Sequence, residues 1–226
     1  MLNVAVSIRG DAMADTARPN ALLVIDLEAT CWRKPDGRRS EIIEIGAIAT
    51  NAEGVSLGEF QSFVRPILNP VLSDFCRELT HIKQADVDKA PRFPEVLASL
   101  LEWTSQFGSL TFASWGAYDR KQLLSDCELH GVAYPFGDEH VNIKKTFAQM
   151  VGRRPMGMAA ALRSLGLDLV GTHHRALDDA RNIAPILAVL LASGASVSES
   201  CRRVQAQRGQ VNPPRPFKRA TDGNSD

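Results

Sequence analysis

The chain has 226 residues, 44% of them apolar and 23% charged, with 26 basic residues balanced by 26 acidic ones. This composition suits one large soluble domain, or at most two small ones. It excludes a nucleic-acid binder driven by whole-molecule charge, so any such surface has to be a local patch. Four scattered cysteines, Cys31, Cys76, Cys127 and Cys201, form no C-x-x-C pair, which argues against a zinc ribbon, a thioredoxin-type site or a dense disulfide framework.

In chain order, residues 1–19 read as a flexible N-terminal arm ending at Pro19. The stretch without a basic flank and long apolar core at the start does not make a secretory signal. No apolar run approaches the roughly 18 residues of a membrane span. With reduced cysteines, these features predict a cytoplasmic protein without a membrane partner.

Ala21–Glu28 is the first predicted strand. Its apolar run ends in Asp26-Leu27-Glu28. Strand side chains alternate faces, so Asp26 and Glu28 emerge on the same one. Such a pair is either two solvated acids at a strand end or a buried pair that needs a cation between its charges. Arg33–Ser40, RKPDGRRS, is a polar turn with four basic residues; it is either a solvated hairpin loop or a basic loop touching phosphates. Glu41–Asn51 is β-branched and apolar, as a central strand should be. Leu57–Val64 alternates as a third strand. Three strands in series with short loops predict an antiparallel meander.

From Pro70 the pattern turns helical. SDFCREL is a short helix capped by Ser73, and Asp86–Asp88 reads as a second polar turn. FPEVLASLLEWTSQF places Val96, Leu97, Leu100, Leu101 and Trp103 at helical spacing, and Gly108 stops it. Leu110–Ser114 is a fourth strand, followed by a helix from Tyr118 to His130 that Gly131 ends. A short fifth strand leads to a helix over Asn142–Val151, and another helix covers Met158–Leu165. THHRALDDARNIAPILAVLLASG closes the domain with a long helix in which Pro185 removes one backbone bond and favours a kink. Residues 196–226 are a short amphipathic piece and a disordered polar tail. From Arg202 onward six basic residues face two aspartates, a balance of +4. That tail is either solubilising or a nucleic-acid tether.

Three element boundaries hold unusual polar residues: Asp26 with Glu28, Asp119 after the fourth strand, and the run from His173 to Asp179. Asp178 and Asp179 point about 100° apart on a helix, so only one faces a common site. Sites in open α/β sheets gather at strand ends. Four carboxylates can therefore converge, a set able to hold two divalent ions. Two ions about 3.5–4 Å apart suit in-line displacement at phosphorus. A nearby histidine, with a free pKa of about 6.5, can take the proton of an attacking water.

DLEATCW, FCRELTHIKQADVDKAPRFPEVL, SWGAYD and HRALDDARNIA, spread over about residues 21–191, together carry a specific resemblance. The chain resembles the DEDD-type 3′–5′ exonucleases of the DnaQ-like superfamily, in the histidine subtype. Within them it is similar to the branch of histone-mRNA and small-RNA trimming exonucleases and KapD-like proteins. The resemblance implies an RNase H-like mixed five-stranded sheet, three strands antiparallel and two parallel, flanked by helices, over residues 20–195. It implies two Mg2+ or Mn2+ ions on Asp26, Glu28, Asp119 and Asp179, with His174 as general base. His173 and Asp178 fit the same spacing one residue out of register; the branch pattern His-x-x-x-Asp-Asp-x-x-Asn-Ile-Ala favours His174 and Asp179. Leu27 and Ala29 would line the slot for the terminal nucleotide, with backbone groups reading its 3′ hydroxyl. Trp115 and Tyr118 would stack on a base or pack the rim, and Met156 and Met158 would shape a second base site or fill core.

The implied activity is removal of nucleoside 5′-monophosphates from 3′ ends of single-stranded RNA, or of DNA. An oligoribonuclease-like or proofreading-type DNA exonuclease is the alternative within the class. A phosphodiesterase for small nucleotides is another. An idle binding module would show a lost motif acid, yet all five expected residues are present. Where the family often reads Leu-Thr-Gly-Ile-Thr-Gln, this chain has LTHIKQ, so His81 and Lys83 bring bulk and charge to that turn. No SAP-type RNA-binding arm precedes the matched region, and targeting to one RNA structure is not implied.

Overall fold

Ala21–Ala29 forms β1, the middle strand of a five-stranded sheet. The computed structural model describes residues 21–34 and 37–194; the predicted arm, short terminal piece and tail lie outside the described residues. Alternation along β1 sorts its side chains into two layers. Leu22 and Val24 face one core cluster, and Leu23, Ile25 and Leu27 face the other. Because both faces are covered, the strand reads as a continuous apolar run. Asp26 and Glu28 extend the Leu22–Val24 side.

Ile42–Asn51 (β2) pairs antiparallel with β1, and Ser56–Phe63 (β3) pairs antiparallel with β2. Thr111–Ser114 (β4) and Val141–Asn142 (β5) run parallel to β1, giving the order β3-β2-β1-β4-β5. This is the expected RNase H-like arrangement of a three-strand meander extended by two parallel strands.

Seven helices are present among the described residues. Asp74–Thr80 (α1) starts at Ser73, whose hydroxyl accepts the Cys76 N–H. His81 caps its end in a left-handed conformation with φ 58°, donating its N–H to Arg77 O. Gln84–Asp88 (α2) is helical where the sequence predicts a polar turn at Asp86–Asp88. Its single buried residue, Val87, joins Ile43, Leu72, Cys76 and Ile82 in a small satellite core. One buried residue in five leaves no period to read, and the helix forms because Val87 has that cluster to enter.

Phe93–Ser105 (α3) and Tyr118–His130 (α4) cover the Leu23–Ile25 face, with Leu97, Leu100, Leu123 and Cys127 in the core. Gly131, with φ 64°, ends α4 as predicted. Ile143–Met150 (α5), Met158–Ser164 (α6) and Ala176–Ala192 (α7) cover the opposite face with Phe147, Leu162, Ile183 and Leu187. Asn142 belongs to β5 and caps α5, its Oδ1 accepting the Lys145 N–H at 3.0 Å. Pro185 lies within α7, on its exposed side, where the carbonyl it leaves free can meet water. Among the described residues, no helix is long and apolar enough to cross a membrane.

Candidate active site

The carboxyl end of β1 is where the two halves of the sheet meet, and the acids gather there. Asp26 pairs in register with Gly46 of β2. A Cβ on Gly46 would lie 2.2 Å from both Ala176 C and Leu177 N. The absence of a side chain thus lets the first turn of α7 rest directly on the sheet. Asp179 follows one turn later, and carboxylate oxygens of Asp26, Glu28 and Asp179 lie within 4.8 Å of one another. Asp119 enters from the start of α4, and its Oδ1 accepts the Leu27 N–H at 3.2 Å. Helix α4 is held by Asp126, which accepts the Ile42 N–H at 3.0 Å and the Gln122 amide at 2.6 Å. All four predicted acids therefore come together. Asp178 turns away, accepting the Thr172 N–H at 2.9 Å and Arg181 Nη1 at 3.1 Å.

Both histidines reach the site. His173 Nδ1 donates to Asp179, 2.9 Å from Oδ1 and 3.0 Å from Oδ2. The His174 backbone N–H donates to Asp179 Oδ2 at 3.0 Å, and the two imidazoles stack with centroids 4.1 Å apart. His174 has φ 65°, a left-handed conformation that is costly for a non-glycine residue.

Two residues that the sequence reading did not single out hold this arrangement. Glu44 is fully buried on β2, opposite Glu28 in register. It accepts Arg175 Nε at 3.1 Å, Arg175 Nη2 at 3.0 Å and the Ala176 N–H at 3.1 Å, and it bonds the Gln61 amide. This carboxylate fixes the chain next to His174 and caps the start of α7, where the helix dipole favours negative charge. An acid inside the apolar run EIIEIGA was its visible signal, since buried acids are rare unless paired.

The electrostatics follow from enclosure and crowding. Burial, then the charges of Asp119, Glu28, Asp179 and Glu44, raise Asp26 well above the usual carboxylate range. Burial first, then Asp179 and Glu44, push Glu28 up to about 8. Burial raises Asp119 to about 6, against bonds from backbone N–H groups and the Ser114 hydroxyl that favour its ionised form. Burial, then the neighbouring His173, lower His174, which keeps its imidazole neutral and able to accept a proton. An all-oxygen set whose members cannot all be charged together fits hard divalent cations.

These residues line a cleft of about 830 Å³. Leu27, Ala29, Trp115, Tyr118 and Met158 all border it. Leu27 and Ala29 are buried, and the Leu27 N–H is engaged by Asp119, so it is not free to read a hydroxyl. Trp115 packs against Phe147, while Tyr118 is 54% exposed at the mouth. Met158 and Met156 pack on the core cluster beneath. Lys144 and Lys145 also line the cleft and were not anticipated. In the basic loop, Arg33 pairs with Glu78, Arg38 lies over the Trp32 ring and Arg39 bonds Ser125 and Glu128. These contacts favour the structural reading of that loop.

A family model described as Exonuclease (RNase_T) matches residues 23–187. The chain is 35% identical to 3'-5' exoribonuclease 1 of Homo sapiens over 187 residues, covering 76% of this chain and 53% of that protein. It is 32% identical to ERI1 exoribonuclease 2 of Danio rerio over 214 residues, covering 85% of this chain and 38% of that protein. Among solved structures, the nuclease domain of 3'hExo, a DEDDh family member bound to rAMP, matches with a TM-score of 0.74 and 34% identity. That match covers 78% of this chain and 94% of the other. The chain spans about half, or less, of the length of these curated relatives.

Proposed function

Because this chain belongs to the Exonuclease (RNase_T) family, we propose that it hydrolyses phosphodiester bonds at the 3′ ends of single-stranded nucleic acid, RNA in preference, and releases nucleoside 5′-monophosphates. The observation that carries this reading is the meeting of Asp26, Glu28 and Asp179 within 4.8 Å, with Asp119 on the Leu27 N–H and two imidazoles alongside. Asp26, Glu28, Asp119 and Asp179 would hold two divalent cations, Mg2+ or Mn2+. When bound, such cations make a water nucleophilic at neutral pH and steady the leaving oxygen of an in-line displacement at phosphorus.

The chain's own groups do the rest. His174, kept neutral by burial and by His173, takes the proton of the attacking water. Leu27 and Ala29 wall the slot for the terminal nucleotide, and Tyr118 offers a ring face on which a base can stack. Trp115 and Met158 shape the far wall. Glu44 and Arg175 orient the turn that carries His174. The RNA preference is supported by the relatives, which are exoribonucleases in name. Cytoplasmic residence belongs to the same reading and is supported by the free thiols of Cys31, Cys76 and Cys127.

The test is digestion of single-stranded RNA and DNA of equal sequence, with magnesium and with chelator. Faster loss of RNA, abolished by chelator, is expected. Equal or faster digestion of DNA would count against the RNA preference and favour a DNA exonuclease.

A further inference from the structure

Charge is unevenly distributed along this neutral chain. Between Glu139 and Asp168 there is no acidic residue, and the interval holds Lys144, Lys145, Arg153, Arg154 and Arg163. Elsewhere many cations are already matched: Arg33, Arg39, Arg77, Arg120, Arg175 and Arg181 each pair with a carboxylate. Among the described residues, Lys144, Lys145, Arg153 and Arg154 pair with none. Lys145, Arg153 and Arg154 are exposed, and Lys144 is half-buried.

Their place in the fold puts them beside the acids. Lys144 and Lys145 lie in the first turn of α5, and both line the cleft. Arg153 and Arg154 follow the end of α5 and lead into Pro155, which lines it too, as do Gly157 and Met158. One rim is therefore basic while the floor is a cluster of carboxylates. Helix α5 has eight residues, about 12 Å of length. At about 3.4 Å per stacked nucleotide, this matches three or four nucleotides. The reacting phosphate belongs over the acids, and among the described residues that line the cleft Lys144 and Lys145 are the lysines or arginines that the phosphates before it can meet.

We propose that residues 144–154 form a rim that tracks the phosphates 5′ of the terminal nucleotide, so that the substrate is a strand several nucleotides long and not a dinucleotide. The inference rests on the nuclease reading above and adds the substrate's length class and the path of its strand.

The experiment compares kcat/KM on a single-stranded RNA twelve-mer and on a dinucleotide over a range of salt, with magnesium. It uses the full chain, the double variants Lys144→Ala/Lys145→Ala and Arg153→Ala/Arg154→Ala, and Lys89→Ala, a lone exposed cation elsewhere. We expect the wild type to favour the twelve-mer. Each double variant should lower the twelve-mer-to-dinucleotide ratio by about tenfold. Its log–log salt dependence on the twelve-mer should be shallower by about 1.4, at about 0.7 per lost phosphate contact on a single strand. Lys89→Ala should keep the wild-type ratio and slope. An unchanged ratio and slope in both double variants, with wild-type hydrolysis intact, overturns the rim alone. A wild type that cleaves neither substrate overturns the nuclease reading and the rim with it.

Discussion

Gly46 of β2 and Ala176 of α7 touch backbone to backbone: a Cβ on the glycine would sit 2.2 Å from Ala176 C and 2.4 Å from Ala176 O. The contact sets the height of α7 above the sheet and so the position of Asp179 beside Asp26 and Glu28. Gly46→Ala cannot be absorbed by a flexible side chain, because the atoms it meets are backbone. Overpacking of this kind costs about 1–3 kcal/mol or more. We expect a lower Tm and, in whatever protein folds, a weaker response of Tm to magnesium. An unshifted Tm with normal magnesium response would contradict this role.

Arg175 and Glu44 form a second constraint at the same turn. Removing one partner of a buried pair strands the other charge, at a cost of about 3–5 kcal/mol. Arg175 is partly exposed, so Arg175→Met should fall toward the lower end. Its kcat should also drop, because the residue adjoins His174. Activity and stability equal to wild type would remove Glu44 and Arg175 from the account.

His81 closes α1 with a φ of 58°, a left-handed conformation that a glycine would adopt freely. The histidine bears the strain of that turn. His81→Gly should raise stability by about 1 kcal/mol, since left-handed backbone costs an L residue about 1–2 kcal/mol and the flexibility of glycine in the unfolded chain offsets part of it. Thermal unfolding measures this directly, and a lower Tm would show that the His81 side chain makes a contact worth more than the strain.

The crowded acids make the metal-free protein sensitive to pH. Glu28 moves from an unfolded value of 4.5 to about 8, and Asp119 from 3.8 to about 6. A raised carboxylate binds its proton more tightly in the folded state. Its stabilising contribution is therefore fully present below the unfolded pKa and is lost as pH rises through the folded one. Chelated protein should lose Tm steadily from about pH 4 to pH 8. Added magnesium should restore more at pH 8 than at pH 5.5, because cations bind the ionised form. Glu28→Gln should flatten the slope. A chelated protein that grows more stable over this interval would contradict the cluster's electrostatics.

The two stacked histidines have distinguishable parts. His174 is assigned the proton transfer, so His174→Ala should reduce kcat by about 10²–10⁴ and remove the acid limb of the pH–rate profile. His173 bonds Asp179 through Nδ1, and His173→Ala should have a smaller effect on kcat and weaken the magnesium response. The reverse order would transfer the base role to His173.

Much of this was legible in the sequence because it is local. Alternation in Leu22–Glu28 announced the shared face of two acids, Ser73 and Gly131 marked helix ends, and the double-aspartate motif pointed to Asp179 over Asp178. What escaped is non-local or small. Glu44 is 131 residues from Arg175, and no local pattern pairs them. Nothing local in β2 marks Gly46, because what requires a glycine there is the backbone of α7, about 130 residues further along the chain. Helix α2 depends on one valine and a satellite core. Lys144 and Lys145 resemble a solvated helix face in sequence, and only the fold puts them at the cleft.

The most direct test of the central claim follows a 5′-labelled single-stranded RNA twelve-mer incubated with magnesium and either wild type or Asp26→Ala. We predict a ladder shortened stepwise from the 3′ end by the wild type, absent with chelator and absent with the variant. Near-normal shortening by Asp26→Ala would contradict the claim that this acid quartet holds the cations that drive hydrolysis.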